Sequence, residues 1–233
     1  MTGAPAEAYV DAAVAALEPL ADPGKAAPMR RYLKDVAPFL GVTTPDRRAA
    51  LKTAWSDLAD LGEPELGRAC DELWALPERE YQYAGCDLVD RHRRRLSAAF
   101  VADPIERLLT TKPWWDTVDS LESAAICPVT ARHPELVDLM WQWLDSGDRW
   151  LIRAAIQHQR GRKEATDLAV LFTMCDRYAE DREFFIAKAI GWALRDVTRW
   201  DPAAVQSFLD QHPTLSPVAR REAIRGLTRP SPP

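Results

Sequence analysis

Apolar positions recur along this chain at helical spacing almost everywhere. Leu51, Trp55 and Leu58 follow Thr44-Pro45-Asp46, which places Thr44 as a helix cap and Pro45 at the first helical position. Pro77-Glu78-Arg79-Glu80 opens another helix, with acids in the first turn where the helix dipole favours them. His133-Pro134-Glu135 starts a third, and Leu136, Leu139, Met140, Trp143 and Leu144 form its apolar stripe before Ser146-Gly147 stops it. Asp201-Pro202 and Ser216-Pro217 start the last two. No strand alternation or hairpin dipeptide is visible. Many of the 18 prolines fall at helix starts or between helices, where they punctuate without breaking anything.

The helices come in pairs. The inner member of each pair reads as Glu80–Asp90, Trp115–Ala125, Trp150–Gln159, Phe184–Val197 and Val218–Leu227. Trp115 and Arg153 are 38 residues apart, and Arg153 and Trp192 are 39 apart. A two-helix period near 40 is the signature of HEAT-like repeats, which stack into a solenoid with one helix of each pair on the concave face. The expected fold is therefore all-α, a HEAT-like helical-repeat solenoid forming a single domain over residues 1–233. An irregular all-α bundle with coincidental spacing is the alternative.

Composition narrows the chemistry. The 233 residues are 47% hydrophobic and 28% charged, enough apolar content for a substantial core. Net charge is −5, so a polybasic coat is excluded, although a local basic groove is not. The basic residues are 24 Arg and 6 Lys, and Arg suits forked phosphate contacts. Only 10 glycines occur and neither glycine-rich phosphate loop is present, so a glycine-cradled nucleotide site is not expected. Cys70, Cys86, Cys127 and Cys175 are widely spaced, giving no zinc ribbon or disulfide framework. No metal site and no cofactor are expected. No apolar run approaches the ~20 residues of a membrane span, and Met1–Leu20 lacks a basic leader. A cytoplasmic monomer with reduced thiols and no membrane contact is the expectation.

The inner helices carry unusual stripes. Trp115 and Asp119 are one turn apart and share a face. Arg149, Arg153, Gln157 and Arg160 form a polar, cationic stripe on the next inner helix. Lys188, Trp192, Arg195 and Arg199 form another, separate from the apolar stripe of Phe185, Ile186, Ala189, Ile190 and Ala193. Trp55, Trp74, Trp141 and Trp143 each belong to an apolar stripe and read as core. Trp192 lies in a basic stripe and does not. By spacing alone, Asp119 reads as a solvated acid or a helix ion-pair partner. Arg91, Arg93, Arg94 and Arg95, the Arg149–Lys163 stretch, and Arg220, Arg221 and Arg225 add basic clusters. They are either solvated helix ends or contacts aimed at one polyanion.

Several strings resemble a known family. They are Glu80-Tyr81-Gln82-Tyr83, Lys112-Pro113-Trp114-Trp115-Asp116-Thr117-Val118-Asp119-Ser120, Trp150 through Ile156 and Phe184 through Arg195. Met29 through Lys34, Phe39-Leu40-Gly41 and Leu215 through Ala223 are also similar. Together they resemble the DNA alkylation repair glycosylases of the AlkD type, from about Met29 to Leu227. The resemblance implies HEAT-like repeats wrapped around duplex DNA. It also implies excision of N3- and N7-alkylated purines, 3-methyladenine and 7-methylguanine, without flipping the base into a pocket. Carried over, Trp115, Asp119 and Trp192 resemble the catalytic trio, and Arg153 resembles the arginine that contacts the backbone near the lesion. Arg195 and Tyr32 look like DNA-contacting positions, and Arg149, Gln157 and Lys188 join them from their stripes. One departure is Ala37-Pro38, where Pro38 could end the N-terminal helix early.

The resemblance implies a monofunctional glycosylase acting on double-stranded DNA that contains alkylated purines. No lysine matches the trio, so no Schiff-base lyase step is expected. Two other readings stay open: a non-catalytic binder of DNA structure using the same basic face, and a protein-interaction scaffold.

Overall fold

A computed structural model of the chain describes residues 5–228. The fold is all-α and of the helical-repeat class, and no strand occurs among the described residues. The described residues form two compact units, divided between Ala125 and Ile126.

The first unit contains α1 (Pro5–Leu17), α2 (Pro23–Tyr32), α3 (Thr44–Ala54), α4 (Glu63–Ala75), α5 (Arg79–His92), α6 (Ala98–Phe100), α7 (Glu106–Thr110) and α8 (Trp115–Leu121). α1 packs on α3 and α4, burying Tyr9, Ala13 and Leu17. The indole of Trp55 donates to the Tyr9 carbonyl at 3.0 Å. α4 pairs with α5, and α5 packs against α3 and α8. Thr43, rather than Thr44, caps α3: its hydroxyl is the one that accepts the Asp46 N–H. Two adjacent threonines gave the pattern no means of choosing between them.

The second unit contains α9 (Cys127–Arg132), α10 (Val137–Asp145), α11 (Arg149–Gln157), α12 (Leu168–Arg177), α13 (Phe184–Val197), α14 (Pro202–Gln211) and α15 (Pro217–Leu227). Acidic side chains cap four of its helices. Asp148, Asp167, Glu183 and Asp201 each accept N–H groups of the first turn that would otherwise lack partners. α11, α13 and α15 pack successively, and α10 backs α11. The α13–α15 approach is close. A side-chain carbon at Gly191 would lie 2.6 Å from the Glu222 Cβ and 2.9 Å from the Ala219 carbonyl, so only glycine fits there.

The helices read from the sequence as inner members, α5, α8, α11, α13 and α15, begin at residues 79, 115, 149, 184 and 217, a repeat of 33 to 36 residues. The longer spacing read from the sequence has a simple cause. Trp115, Arg153 and Trp192 are the first, fifth and ninth residues of their helices, so each interval added one turn. Trp55, Trp74 and Trp143 are buried as expected, whereas Trp141 is half-buried.

His158 and His92 are buried polar groups. Burial pushes the His158 imidazole down to about 4, against a hydrogen bond with the Ala155 carbonyl at 2.7 Å. His92 moves the same way, also through burial. The folded protein therefore keeps His158 neutral where the unfolded chain takes up a proton. Stability should fall as pH drops from about 6.5 to about 4, by about 3 kcal/mol for His158. Denaturant titrations of the wild type and His158→Asn across that range check this. The variant should show the shallower acid dependence.

Candidate nucleic-acid interface

In the first unit, Trp114 is extended and α8 begins at once with Trp115, so Trp115 and Asp119 stand one turn apart. Both line a cleft of about 510 Å³ that also takes in Arg47, Arg48, Tyr83 and Asp87. Tyr32, the last residue of α2, is 71% exposed, and its ring meets the Trp115 indole edge-on at 6.0 Å. Of the residues singled out in the sequence, the first unit thus brings together Tyr32, Trp115 and Asp119.

The segment after Tyr32 is fixed from below. Left-handed residues Lys34 and Asp35 turn the chain out of α2, so the helix ends well before Pro38 and proline does not terminate it. The buried Glu80 carboxylate accepts the N–H groups of Leu40, Gly41 and Val42, and the Pro38 carbonyl accepts the Arg79 N–H. Gly41 has φ of 91°, and a side chain there would run into the Asp22 carbonyl.

Asp116, three residues before Asp119, has a different task. Arg79 grips it through Nε at 3.0 Å and a terminal nitrogen at 2.6 Å, and the Tyr83 hydroxyl donates to it at 2.5 Å. Arg79 also donates to the Lys112 carbonyl and the Thr117 hydroxyl, which ties the start of α5 to the start of α8. Burial pushes the Tyr83 hydroxyl up, and the Asp116 charge pushes it further, so Tyr83 stays a neutral donor. Arg47 lies over the Tyr83 ring at 4.9 Å and, with Arg48, is held by Asp87. Because Arg79 is only 1% exposed, Arg79→Ala leaves Asp116 as a nearly buried unpaired charge. A loss of about 3–5 kcal/mol is expected, read by chemical denaturation.

In the second unit, α13 presents Trp192 inside a cluster of cations. Arg153, Lys188, Arg160 and Arg195 lie 5.0, 5.3, 5.6 and 6.0 Å from its ring centre. The ring is half-buried and its cationic surroundings are not those of a core indole. Lys188 and Arg195 are partly exposed. Arg149 is exposed and pairs with Glu183 at 3.2 Å. Arg153 and Gln157, expected on the surface, are 1% and 0% exposed. They lie on the side of α11 that packs against α13. Arg153 donates to the Phe185 carbonyl at 2.8 Å, and Gln157 accepts from Arg160 at 3.3 Å. Both therefore support the Trp192 surroundings from beneath.

Several residues of the other basic clusters have local partners. Arg91 and Arg95 pair with Asp60, and Arg93 pairs with Asp90. Arg220 turns back to the carbonyls of Leu209 and His212 at the end of α14. Sequence reasoning missed the roles of Asp116, Arg79, Tyr83 and Glu222. The strings quoted for the family resemblance contained three of them, but their partners lie 27 to 38 residues away, beyond any helical spacing.

No group of His, Cys, Asp and Glu suited to a metal ion occurs among the described residues, and none of their helices is long and apolar enough to cross a membrane. No curated protein matches the sequence. The solved structure of a predicted DNA alkylation repair enzyme from Enterococcus faecalis is similar, with a TM-score of 0.83 and 28% identity. The match covers 90% of this chain and 98% of that one. A family model described as DNA alkylation repair enzyme matches residues 13–227. An AlkD-like, all-helical repeat chain matched over nearly its whole length belongs to the DNA alkylation repair enzyme family.

Proposed function

We propose that this protein is a monofunctional DNA glycosylase that hydrolyses the N-glycosidic bond of N3- and N7-alkylated purines in duplex DNA. The observation that carries the reading is the pairing of the Asp119 carboxylate with the Trp115 indole on one face of α8, at an open cleft edged by Tyr32. A purine alkylated at N3 or N7 is already cationic. As its C1′–N bond breaks, the bond's electrons pass to the base, which leaves neutral, and positive charge grows on the deoxyribose. A carboxylate aimed at that sugar stabilises the charge and orients the water whose oxygen bonds to C1′. The water gives up its proton to Asp119 or to solvent. The Trp115 ring, beside Asp119 on α8, offers its negative face to the same cationic sugar.

In this reading Asp119, Trp115 and Trp192 are the catalytic residues. Tyr32, Arg149, Lys188 and Arg195 have the exposure to meet the DNA backbone. Arg153 and Gln157 act from beneath: Arg153 stands against the Trp192 ring while anchored on the Phe185 carbonyl, and Gln157 accepts from Arg160. The whole chain serves as one glycosylase domain, working as a monomer in the cytoplasm, with no cofactor. The test is abasic-site formation in a duplex carrying a single N-methylated purine. Abasic sites that form with enzyme and are absent without it support the proposal.

A further inference from the structure

Glu222 on α15 is 4% exposed, yet it meets three cations. One carboxylate oxygen accepts from Lys188 at 2.9 Å and Arg225 at 2.8 Å, and the other accepts from Arg195 at 2.9 Å. Burial pushes its carboxyl up, but Lys188, Arg225 and Arg195 together outweigh that and hold it below the ordinary carboxylate value. Two of the same cations, Lys188 and Arg195, also stand against the Trp192 ring beside Arg153 and Arg160. Four cations, each within 6.0 Å of one indole centre, repel one another. Within the second unit, Glu222 is the acid that meets two of them. Its place is fixed by the close α13–α15 approach at Gly191, directly before Trp192 in the chain.

We propose that Glu222 is a positioning residue for Trp192 and an internal stand-in for a DNA phosphate. In the free protein its charge holds Lys188 and Arg195 beside the ring. When a duplex binds, a phosphate competes with Glu222 for the same two cations. The positioning half rests on the glycosylase reading above; the phosphate half does not.

Glu222→Gln keeps the side chain's size and one acceptor but removes the charge. Released from it, Lys188 and Arg195 become available to phosphates and are no longer drawn to one place against the indole. Affinity for an undamaged duplex should therefore rise about threefold at low salt, and the slope of log affinity against log salt should steepen by about 1. Base release under single-turnover conditions should fall about tenfold, because the indole loses its fixed surroundings. Glu222→Asp keeps the charge on a shorter arm, and should keep the wild-type salt slope while releasing base more slowly. Binding and release moving in opposite directions in Glu222→Gln is the signature of the proposal. A parallel fall of binding, release and melting temperature would reduce Glu222 to a structural ion-pair partner and overturn it. An unchanged salt slope would overturn the phosphate half. If the wild type released no base at all, the glycosylase reading would fail while the binding measurement still decided the role of Glu222.

Discussion

Replacing Asp119 with asparagine is expected to reduce the rate of base release by roughly 10²-fold, the scale seen when a preorganised charge stabiliser is removed. Asparagine keeps the shape and hydrogen-bonding capacity of the side chain but not the charge opposite the developing cation. Duplex binding should persist, because no phosphate contact is lost. Stability should also persist, since Asp119 lies at the cleft and not in the core. Asp116→Asn is the informative contrast. That carboxylate is committed to Arg79 and Tyr83. Its loss should lower the melting temperature first and activity only as a consequence. Single-turnover release, duplex titration and thermal melting of both variants separate the two acids. Base release near the wild-type rate in Asp119→Asn would end its catalytic assignment.

The second large effect concerns the choice of lesion. The cleft around Asp119 offers no group to protonate a departing base. No histidine lines it, Asp87, Asp90 and Asp116 are ion-paired with arginines, and Tyr83 donates to Asp116 with its hydroxyl pushed up. Without a general acid the leaving group has to be cationic beforehand. Release should be efficient for N3- and N7-alkylated purines and negligible for uracil, hypoxanthine and ethenoadenine. Because the cleft is open, the size of a cationic adduct should matter little, and a bulky N3 or N7 adduct should still be released. A panel of duplexes with defined lesions, scored for abasic sites, tests both points. Rapid release of a neutral base would remove the leaving-group argument, and strict rejection of bulky cationic adducts would imply an enclosing pocket.

How far these features could be read from the sequence depended on the range of the interactions. Trp115 and Asp119 were legible because their relation is one helical turn. Trp192 was legible because it breaks the apolar logic of its own helix, and four cations surround it in the fold. The starts at Thr44-Pro45, Asp201-Pro202 and Ser216-Pro217 were legible because a proline in the first turn marks each of them locally. Arg153 and Gln157 were misread as surface residues. A polar stripe normally marks solvent, but here α13 covers it, and that packing partner is 32 residues away in the chain. Asp116 was indistinguishable from Asp119 in the string Trp115-Asp116-Thr117-Val118-Asp119. Only the fold shows that both acids line the cleft and that Arg79 and Tyr83 claim the first of them. The importance of Glu222 was hidden for the same reason, since two of its three cations come from α13.

The most direct test of the central claim is the identity of what leaves the DNA. Methylated duplex DNA incubated with the wild-type protein, without metal or nucleotide, would be analysed for small products by chromatography and mass spectrometry. The account predicts free 3-methyladenine or 7-methylguanine, with an equal number of abasic sites left in intact strands. Methylated DNA that binds the protein but yields no free base, or that yields modified nucleotides or cut strands in its place, would contradict it.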